Sequence, residues 1–143
     1  MRCWQLFKYP LTLLVFAAMC YLSFFSPPET PLDEVRFIDK WTHLCMYGGF
    51  SATWFYEYFK QHGLKGLRLK TIKTETLDWG LCSKFALYFP ILLGGVIEIL
   101  QEYCTNHRRS GEVIDWIADA LGSVLVFCLV WLLVSKNKNR VAE

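Results

Sequence analysis

Four apolar segments dominate the pattern of the chain, and polar residues separate them. A helix that crosses a membrane needs about 20 mostly apolar residues. The pattern therefore predicts four such helices, at roughly residues 9–25, 37–59, 81–101 and 113–134. The first could be a signal peptide, but no small-residue cleavage site follows it, so we predict a retained span. We expect an all-α fold, a four-transmembrane-helix bundle that forms one domain over residues 1–143.

Lysine and arginine in the connecting segments indicate the orientation of this bundle. Short loops that are rich in these residues usually face the cytoplasm. Eleven of the 15 lie near the two chain ends or between positions 60 and 84, and four lie near positions 36–40 and 108–109. We predict that both termini face the cytoplasm (N-in/C-in), in a multi-pass protein of the inner or plasma membrane. The lipid bilayer is then the first expected partner.

Composition agrees with a membrane location and narrows the chemistry. Of 143 residues, 54% are hydrophobic and 17% aromatic, which is too apolar for an ordinary soluble domain. The net charge of +2 gives no reason to expect a nucleic-acid partner. Six cysteines form no CxxC pair, and most lie in apolar runs, where cysteine acts as a small hydrophobic residue. We expect no cofactor and assign no metal ligands from the sequence.

Polar residues interrupt the apolar pattern at the predicted outer surface. They lie at the start of the second helix, the end of the third and the start of the fourth. Spacings of three and four place each set on one helix face, and charges within spans usually face the bundle interior or water. We therefore predict a shared, outward-facing polar cavity. The lining residues are Asp39, Lys40, His43 and Tyr47; Glu98 and Gln101; Asp115 and Asp119.

Some of these residues have an equally simple structural explanation. Acidic residues suit helix N-termini, which would account for Asp39 and Asp115 without any function. His43 alone could be a packing residue. Glu98 and Asp119 lie deeper and are flanked by apolar residues, which favours a functional or buried-network role for them.

Glycines in three predicted helices indicate close helix packing. Gly48, Gly94 and Gly122 each lie near the polar stripe of their own helix. Small residues let helix backbones approach closely in a membrane. Such packing would hold the polar stripes within reach of one another.

Two stretches of the chain resemble the VanZ-like family of small membrane proteins. They are DKWTHLCMYGG and EILQEYCTNHRRSGEVIDWIADALG. The family pattern has an Asp-Lys-x-x-His-x-x-x-Tyr block, a later Glu-x-x-Gln, an Arg in the next loop, and a block of Asp, Asn and Gly that opens the last helix. The matching positions here are Asp39, Lys40, His43 and Tyr47; Glu98 and Gln101; Arg109; Asp115, Asp119 and Gly122. The family's usual Asn is replaced here by Asp119, which adds a carboxylate.

The resemblance implies a link to teicoplanin (glycopeptide) resistance and cell-envelope physiology, without a settled reaction. A glycopeptide, a cell-wall precursor or a lipid head group would each suit an outward polar cavity. We assign acid/base roles to Glu98, His43 and Asp119. Arg109 is the candidate clamp for an anionic group, because guanidinium binds phosphate and carboxylate bidentately. The remaining cavity residues are assigned to binding.

Three other functions stay open. A metal-assisted membrane enzyme that acts on a phosphate-bearing envelope lipid would use the carboxylates as hard ligands, although no two-histidine spacing is present. A small proton-coupled transporter is disfavoured, because transporter sites usually lie at the midplane of the membrane. The charged residues could also simply lock the bundle through buried pairs. The sequence leaves open whether the protein is an enzyme and which oligomer it forms.

Overall fold

Helices make up most of the described part of the chain. The structure is a computed structural model that describes residues 8–24, 37–62, 77–104 and 112–141. No strand occurs in those ranges, which confirms the all-α prediction. The helices are α1, Pro10–Phe24; α2, Ile38–Gln61; α3, Trp79–Ser83; α4, Phe89–Cys104; and α5, Val113–Val141. Each predicted apolar segment coincides with a helix, and α5 continues past its predicted end.

Helices α3 and α4 are two parts of one rod, because a π-helical turn, Lys84–Tyr88, joins them without a break. Pro90 has no amide hydrogen to donate to the carbonyl four residues earlier, that of Ala86. Ser51 of α2 donates a hydrogen bond to this carbonyl at 2.9 Å. The polar side chain of a neighbouring helix thus satisfies a backbone oxygen within an apolar core.

Successive rods run in opposite directions. The two ends of the bundle therefore bring together different parts of the helices. Helix α2 packs along most of α5 and also contacts α1 and α4. At one end α1 and α4 finish while α2 and α5 begin, and we name this the charged end. At the other end, the opposite end, α1 begins and α2 finishes. All the predicted cavity residues that the structure describes lie towards the charged end.

Aromatic packing fills the half of the bundle nearer the opposite end. Trp54 stacks on Tyr58 with ring centroids 5.0 Å apart, and Phe55, Cys82 and Ala86 complete this buried cluster. Interiors of this kind are close-packed, which fixes how the helices sit against one another. The aromatic core therefore holds the frame on which the polar side chains of the charged end are positioned.

Two rods are long and apolar enough to cross a membrane. They are Trp79–Tyr103, with a mean hydropathy of 1.6, and Val113–Lys136, with a mean hydropathy of 2.4. Only 28% of the most apolar 18-residue stretch of either segment is buried within the bundle, so the side chains of that stretch mostly face outward. Helix α2 is long enough but less apolar, because it contains charged residues, and α1 is a shorter apolar helix. The coarser part of the prediction, membrane-compatible helices, is thus supported.

Candidate functional site

A group of buried polar side chains occupies the charged end of the bundle. The predicted cavity residues all lie there except Arg109, which is outside the described residues. Six of them are less than one-tenth exposed to solvent. These are His43, Tyr47, Glu98, Gln101, Asp115 and Asp119. Burying so many polar groups in one place is unfavourable unless each finds a partner, so the partners of each decide what the group can do.

Three of these residues form the innermost group, which we name the buried triad: His43, Glu98 and Asp119. The Nδ1 atom of His43 is 2.9 Å from Oδ1 of Asp119, a hydrogen-bond distance, and 3.8 Å from Oε1 of Glu98. The three side chains come from α2, α4 and α5. One ligand-type atom from each lies within 4.8 Å of the others.

Several oxygen atoms in and beside the triad have no hydrogen-bond partner among the described residues. These atoms are Oε1 of Glu98, Oδ2 of Asp119 and the hydroxyl of Tyr47. Tyr47 is only 1% exposed, and its hydroxyl interacts electrostatically with Asp119 and Glu98. The other carboxylate oxygen of Glu98 accepts a hydrogen bond from the backbone N–H of Glu112 at 3.0 Å. A buried polar atom without a partner is costly, so this region has a strong requirement for a ligand, a proton or water.

Nearer the surface, Lys40 gathers three carboxylates into a group that we name the rim: Lys40, Asp39, Glu112 and Asp115. The ammonium of Lys40 lies 2.6 Å from Glu112, 2.7 Å from Asp115 and 3.5 Å from Asp39. Asp115 is buried, while the side chains of Asp39 and Glu112 are about half exposed. The rim therefore supplies its own cation, whereas the triad does not.

The triad and the rim together carry a strong negative charge. They contain five carboxylates, one lysine and one histidine, which gives a formal charge of −4 when His43 is neutral. No other lysine or arginine pairs with these carboxylates in the described ranges. An excess of this size in a partly buried place favours a bound cation or bound protons.

Glycines allow the helices to approach closely enough to form the site. A Cβ atom on Gly94 of α4 would lie 2.6 Å from Oδ2 of Asp119. A Cβ on Gly122 of α5 would overlap the backbone carbonyl of Leu44, and a Cβ on Gly48 would be 3.3 Å from the Gly122 carbonyl. A side chain at Gly122 would push the helices apart, and one at Gly94 would displace the Asp119 side chain or the helix, which supports the packing role predicted for these glycines.

Gln101 is buried as expected, and one of its hydrogen bonds joins two helix ends. Its side-chain nitrogen donates to the backbone carbonyl of Ser23 at 2.7 Å. This hydrogen bond ties the end of α4 to the end of α1.

A pocket of about 440 Å³ opens between α4 and α5 beside the triad. Glu98 forms part of its wall, together with Gly95 and Glu112. Its outer lining includes Ile99 and Tyr103, which are 60% and 80% exposed on the outside of the bundle. This pocket, which we name the lateral pocket, thus connects the buried carboxylate of Glu98 to the lateral surface of the bundle. Lipid would lie there if the rods cross a membrane.

Two carboxylates with well-defined partners were not among the site residues predicted from sequence. Glu112 belongs to the rim, and its position directly before α5 was the available signal. Glu57, at the opposite end, is only 5% exposed and accepts hydrogen bonds from Leu11 N, Thr12 N and Thr12 Oγ1 at 2.8, 2.9 and 2.7 Å. An acidic residue inside the aromatic run of α2 was the signal there.

The pair of Asp119 and His43 has the geometry of an acid/base unit. When Nδ1–H of His43 donates to Asp119, Nε2 carries the lone pair and can accept a proton. Oδ1 of Asp39 lies 3.9 Å from this Nε2, on the rim side. A buried carboxylate that orients a histidine in this way is the arrangement by which many enzymes position a general base.

Comparison with known proteins does not assign the chain to a family. A scan against protein-family models, a search of curated proteins and a search of solved structures each found no match. The VanZ-like resemblance therefore stays a prediction that depends on the motif residues alone.

Proposed function

We propose that this chain is a four-span membrane protein of the VanZ-like kind, whose charged end faces outward and binds and processes an amphiphilic component of the cell envelope. The buried pair of His43 and Asp119, with Glu98 beside it, is the observation that carries the proposal. A bundle that needed only structural locks would pair its charges. Here two buried carboxylate oxygens lack a hydrogen-bond partner within the described part of the chain, which is typical of sites that meet a ligand.

In the proposed reaction His43 and Glu98 move protons. Asp119 orients His43, and Glu98 lies where it can exchange a proton with a group in the lateral pocket. General acid–base catalysis of this kind contributes about 10²- to 10⁴-fold to a reaction rate. Arg109, in the segment before α5, is proposed to hold an anionic group of the substrate.

The lateral pocket supports an amphiphilic substrate. The apolar part of a lipid-linked molecule could contact Ile99 and Tyr103 while its head group reaches Glu98. A cell-wall precursor, a lipid head group or a lipid-bearing glycopeptide shares this chemistry. Each would approach from the outer leaflet of the inner or plasma membrane, the location proposed for the protein.

Susceptibility to teicoplanin tests the proposal in the native host. A strain without the gene is complemented with wild type, Glu98→Gln or Arg109→Ala, and membrane abundance is measured in parallel. We expect wild type to restore resistance and both variants to fail at normal abundance. His62→Ala is the matched control, because His62 lies at the opposite end and bonds and stacks with Tyr58 of α2. Full complementation by both variants would overturn the acid/base site.

A second test addresses the proposed orientation. Reporter fusions after position 24 and after position 104 should report the outer side, and fusions after positions 62 and 141 the cytoplasm. A reversed pattern would place the charged end inside and would remove the basis for an envelope substrate.

A further inference from the structure

The buried triad has the composition of a cation site without a resident cation among its side chains. Glu98 and Asp119 are 7% and 0% exposed. Within the described residues, His43 is the sole basic side chain within ion-pairing distance of either carboxylate. Two carboxylates in a poorly hydrated place repel each other and cannot both stay ionised without a positive partner.

The unpartnered atoms point to a ligand between the three side chains. Oε1 of Glu98 and Oδ2 of Asp119 accept no hydrogen bond from any described residue. The hydroxyl of Tyr47, a residue outside the acidic set, is also buried and unpartnered beside both carboxylates. A bound ion with coordinated water would satisfy the oxygens directly and the hydroxyl through the water.

We propose that His43, Glu98 and Asp119 bind one divalent transition-metal ion, with water or a substrate oxygen in its remaining coordination positions. The ion would cancel the charge of the two carboxylates. It would also place a positive charge beside the lateral pocket, which an anionic head group can bind. This inference rests on the proposed function, because it supplies a cofactor for the same site. With the ion bound, His43, Glu98 and Asp119 would act as its ligands and not as proton carriers.

The distances in the triad suit such an ion. Ligand bonds of about 2.1 Å place neighbouring ligand atoms about 3 Å apart and opposite ones about 4.2 Å apart. The observed separations from Nδ1 of His43 are 2.9 Å to Oδ1 of Asp119 and 3.8 Å to Oε1 of Glu98, which are close to these two values. Binding would require the Nδ1 proton of His43 to move to Nε2, so that Nδ1 can coordinate the ion. Nε2–H would then face Asp39, as the second ring nitrogen of a metal-bound histidine commonly faces a carboxylate.

The ligand set favours a transition ion over magnesium or calcium. Magnesium and calcium prefer oxygen ligands only, whereas imidazole suits zinc, iron and related ions. One imidazole and two carboxylates fit Mn²⁺ or Zn²⁺. We therefore expect Mn²⁺ to bind in the presence of excess Mg²⁺.

The triad is a better site than a second group that shares the same histidine. Asp39, His43 and Asp115 also lie close enough to ligate an ion. However, the ammonium of Lys40 is already 2.7 Å from Asp115 and 3.5 Å from Asp39. A metal ion there would meet a fixed positive charge, which opposes binding.

Mn²⁺ binding to the purified, detergent-solubilised full chain tests the inference. Electron paramagnetic resonance of free Mn²⁺ gives the bound fraction, and competition with Zn²⁺ shows whether the two ions share one site. We expect one ion per chain in wild type. Loss of a metal-bound ligand should exceed the 10- to 100-fold typical of outer contacts, so Glu98→Gln and Asp119→Asn should weaken binding by at least about 100-fold.

Control variants keep this test informative. Both main variants are isosteric, and size-exclusion and thermal-unfolding profiles report whether they fold. Asp39→Asn should weaken Mn²⁺ binding by less than about tenfold if the triad holds the ion, and His62→Ala should bind like wild type. If Asp39→Asn abolishes binding while Asp119→Asn does not, the rim and not the triad is the site. If folded wild type binds no more Mn²⁺ than Asp119→Asn, the carboxylates hold protons only and the inference fails.

The outcomes separate this inference from the proposed function. Mn²⁺ binding is measured without any envelope component, and complementation is measured without added metal. A chain that complements through Glu98 but binds no Mn²⁺ keeps its acid/base function and loses the metal. A chain that binds Mn²⁺ but complements with Glu98→Gln keeps the metal site and loses the envelope role.

Discussion

Glu57 and Asp119 are both carboxylates buried in the interior of the bundle, but they differ in how many hydrogen-bond donors they meet there. Glu57 is 5% exposed and receives three hydrogen bonds from the first turn of α1, through Leu11 and Thr12. It also lies at the positive end of the dipole of that helix. Asp119 is 0% exposed, and one of its oxygens has no partner among the described residues.

The difference lies in what the neighbouring helix offers. Glu57 faces a helix N-terminus, whose free N–H groups need an acceptor, so carboxylate and helix satisfy each other. Asp119 faces Gly94 in the middle of α4, where the backbone amides are already bonded within the helix. Burial alone therefore does not distinguish a structural acid from a functional one. The number of donors within reach does.

Glu57→Ala should have the largest effect on stability. It removes three charge-assisted hydrogen bonds and leaves buried donors of α1 unsatisfied, which should lower the free energy of unfolding by about 3 kcal/mol. Thermal unfolding in detergent measures this change, and Glu57→Gln, which keeps one acceptor oxygen, should lose less. Function per folded molecule should not change. Wild-type stability in Glu57→Ala would show that the carboxylate does not hold α1 in place.

Gly94→Ala should have the next largest effect on stability, because the added methyl group disturbs the packing around the other carboxylate, Asp119. The added methyl group would meet Oδ2 of Asp119 and force the side chain or the helix to move. Overpacking of this kind costs about 1–3 kcal/mol. Gly49→Ala is the matched control, since a Cβ at Gly49 meets nothing within 4 Å and alanine favours helix by up to about 1 kcal/mol. Equal stability of the two variants would contradict the close approach of α4 to Asp119.

Much of the fold could be predicted from the pattern of apolar residues. The apolar segments were expected to form helices, because a membrane-spanning helix satisfies each backbone group within its own segment. The positions of α1, α2, the α3–α4 rod and α5 agree with the segments predicted in this way. The π-helical turn at Lys84–Tyr88 does not, since it depends on how Ser51 meets the carbonyl next to Pro90.

The candidate site could be predicted only at the level of helix faces. Spacing placed His43, Glu98 and Asp119 on stripes near one end, and the structure brings the three together. Spacing could not assign partners across helices, because these depend on the rotation and axial offset of each rod. Gln101 thus bonds a carbonyl of α1, and Glu57 holds a helix start.

The rim offers an intermediate case, in which a carboxylate has a cation of its own. Asp115 is buried and 2.7 Å from the ammonium of Lys40, whose side chain is 23% exposed. Lys40→Gln alone leaves Asp115 without its counter-charge. A double-mutant cycle with Asp115→Asn should therefore give a coupling energy of about 1 kcal/mol, limited by the solvent exposure of the lysine. Additive effects of the two substitutions on unfolding would mean that the pair contributes nothing to stability.

Asp119→Asn should change stability least and function most, the reverse of Glu57→Ala. Asparagine keeps the size and an acceptor for His43 while it removes a buried charge, so the free energy of unfolding with chelator present should change by less than about 1 kcal/mol. Mn²⁺ at 100 times its dissociation constant should stabilise wild type by about 2.7 kcal/mol, because the ion binds only the folded chain. It should stabilise Asp119→Asn by no more than about 0.4 kcal/mol, and it should stabilise Glu57→Gln as it does wild type. Thermal unfolding of the three proteins with chelator and with Mn²⁺ measures all of these changes. Equal stabilisation of Asp119→Asn and wild type would show that Asp119, like Glu57, serves only the fold.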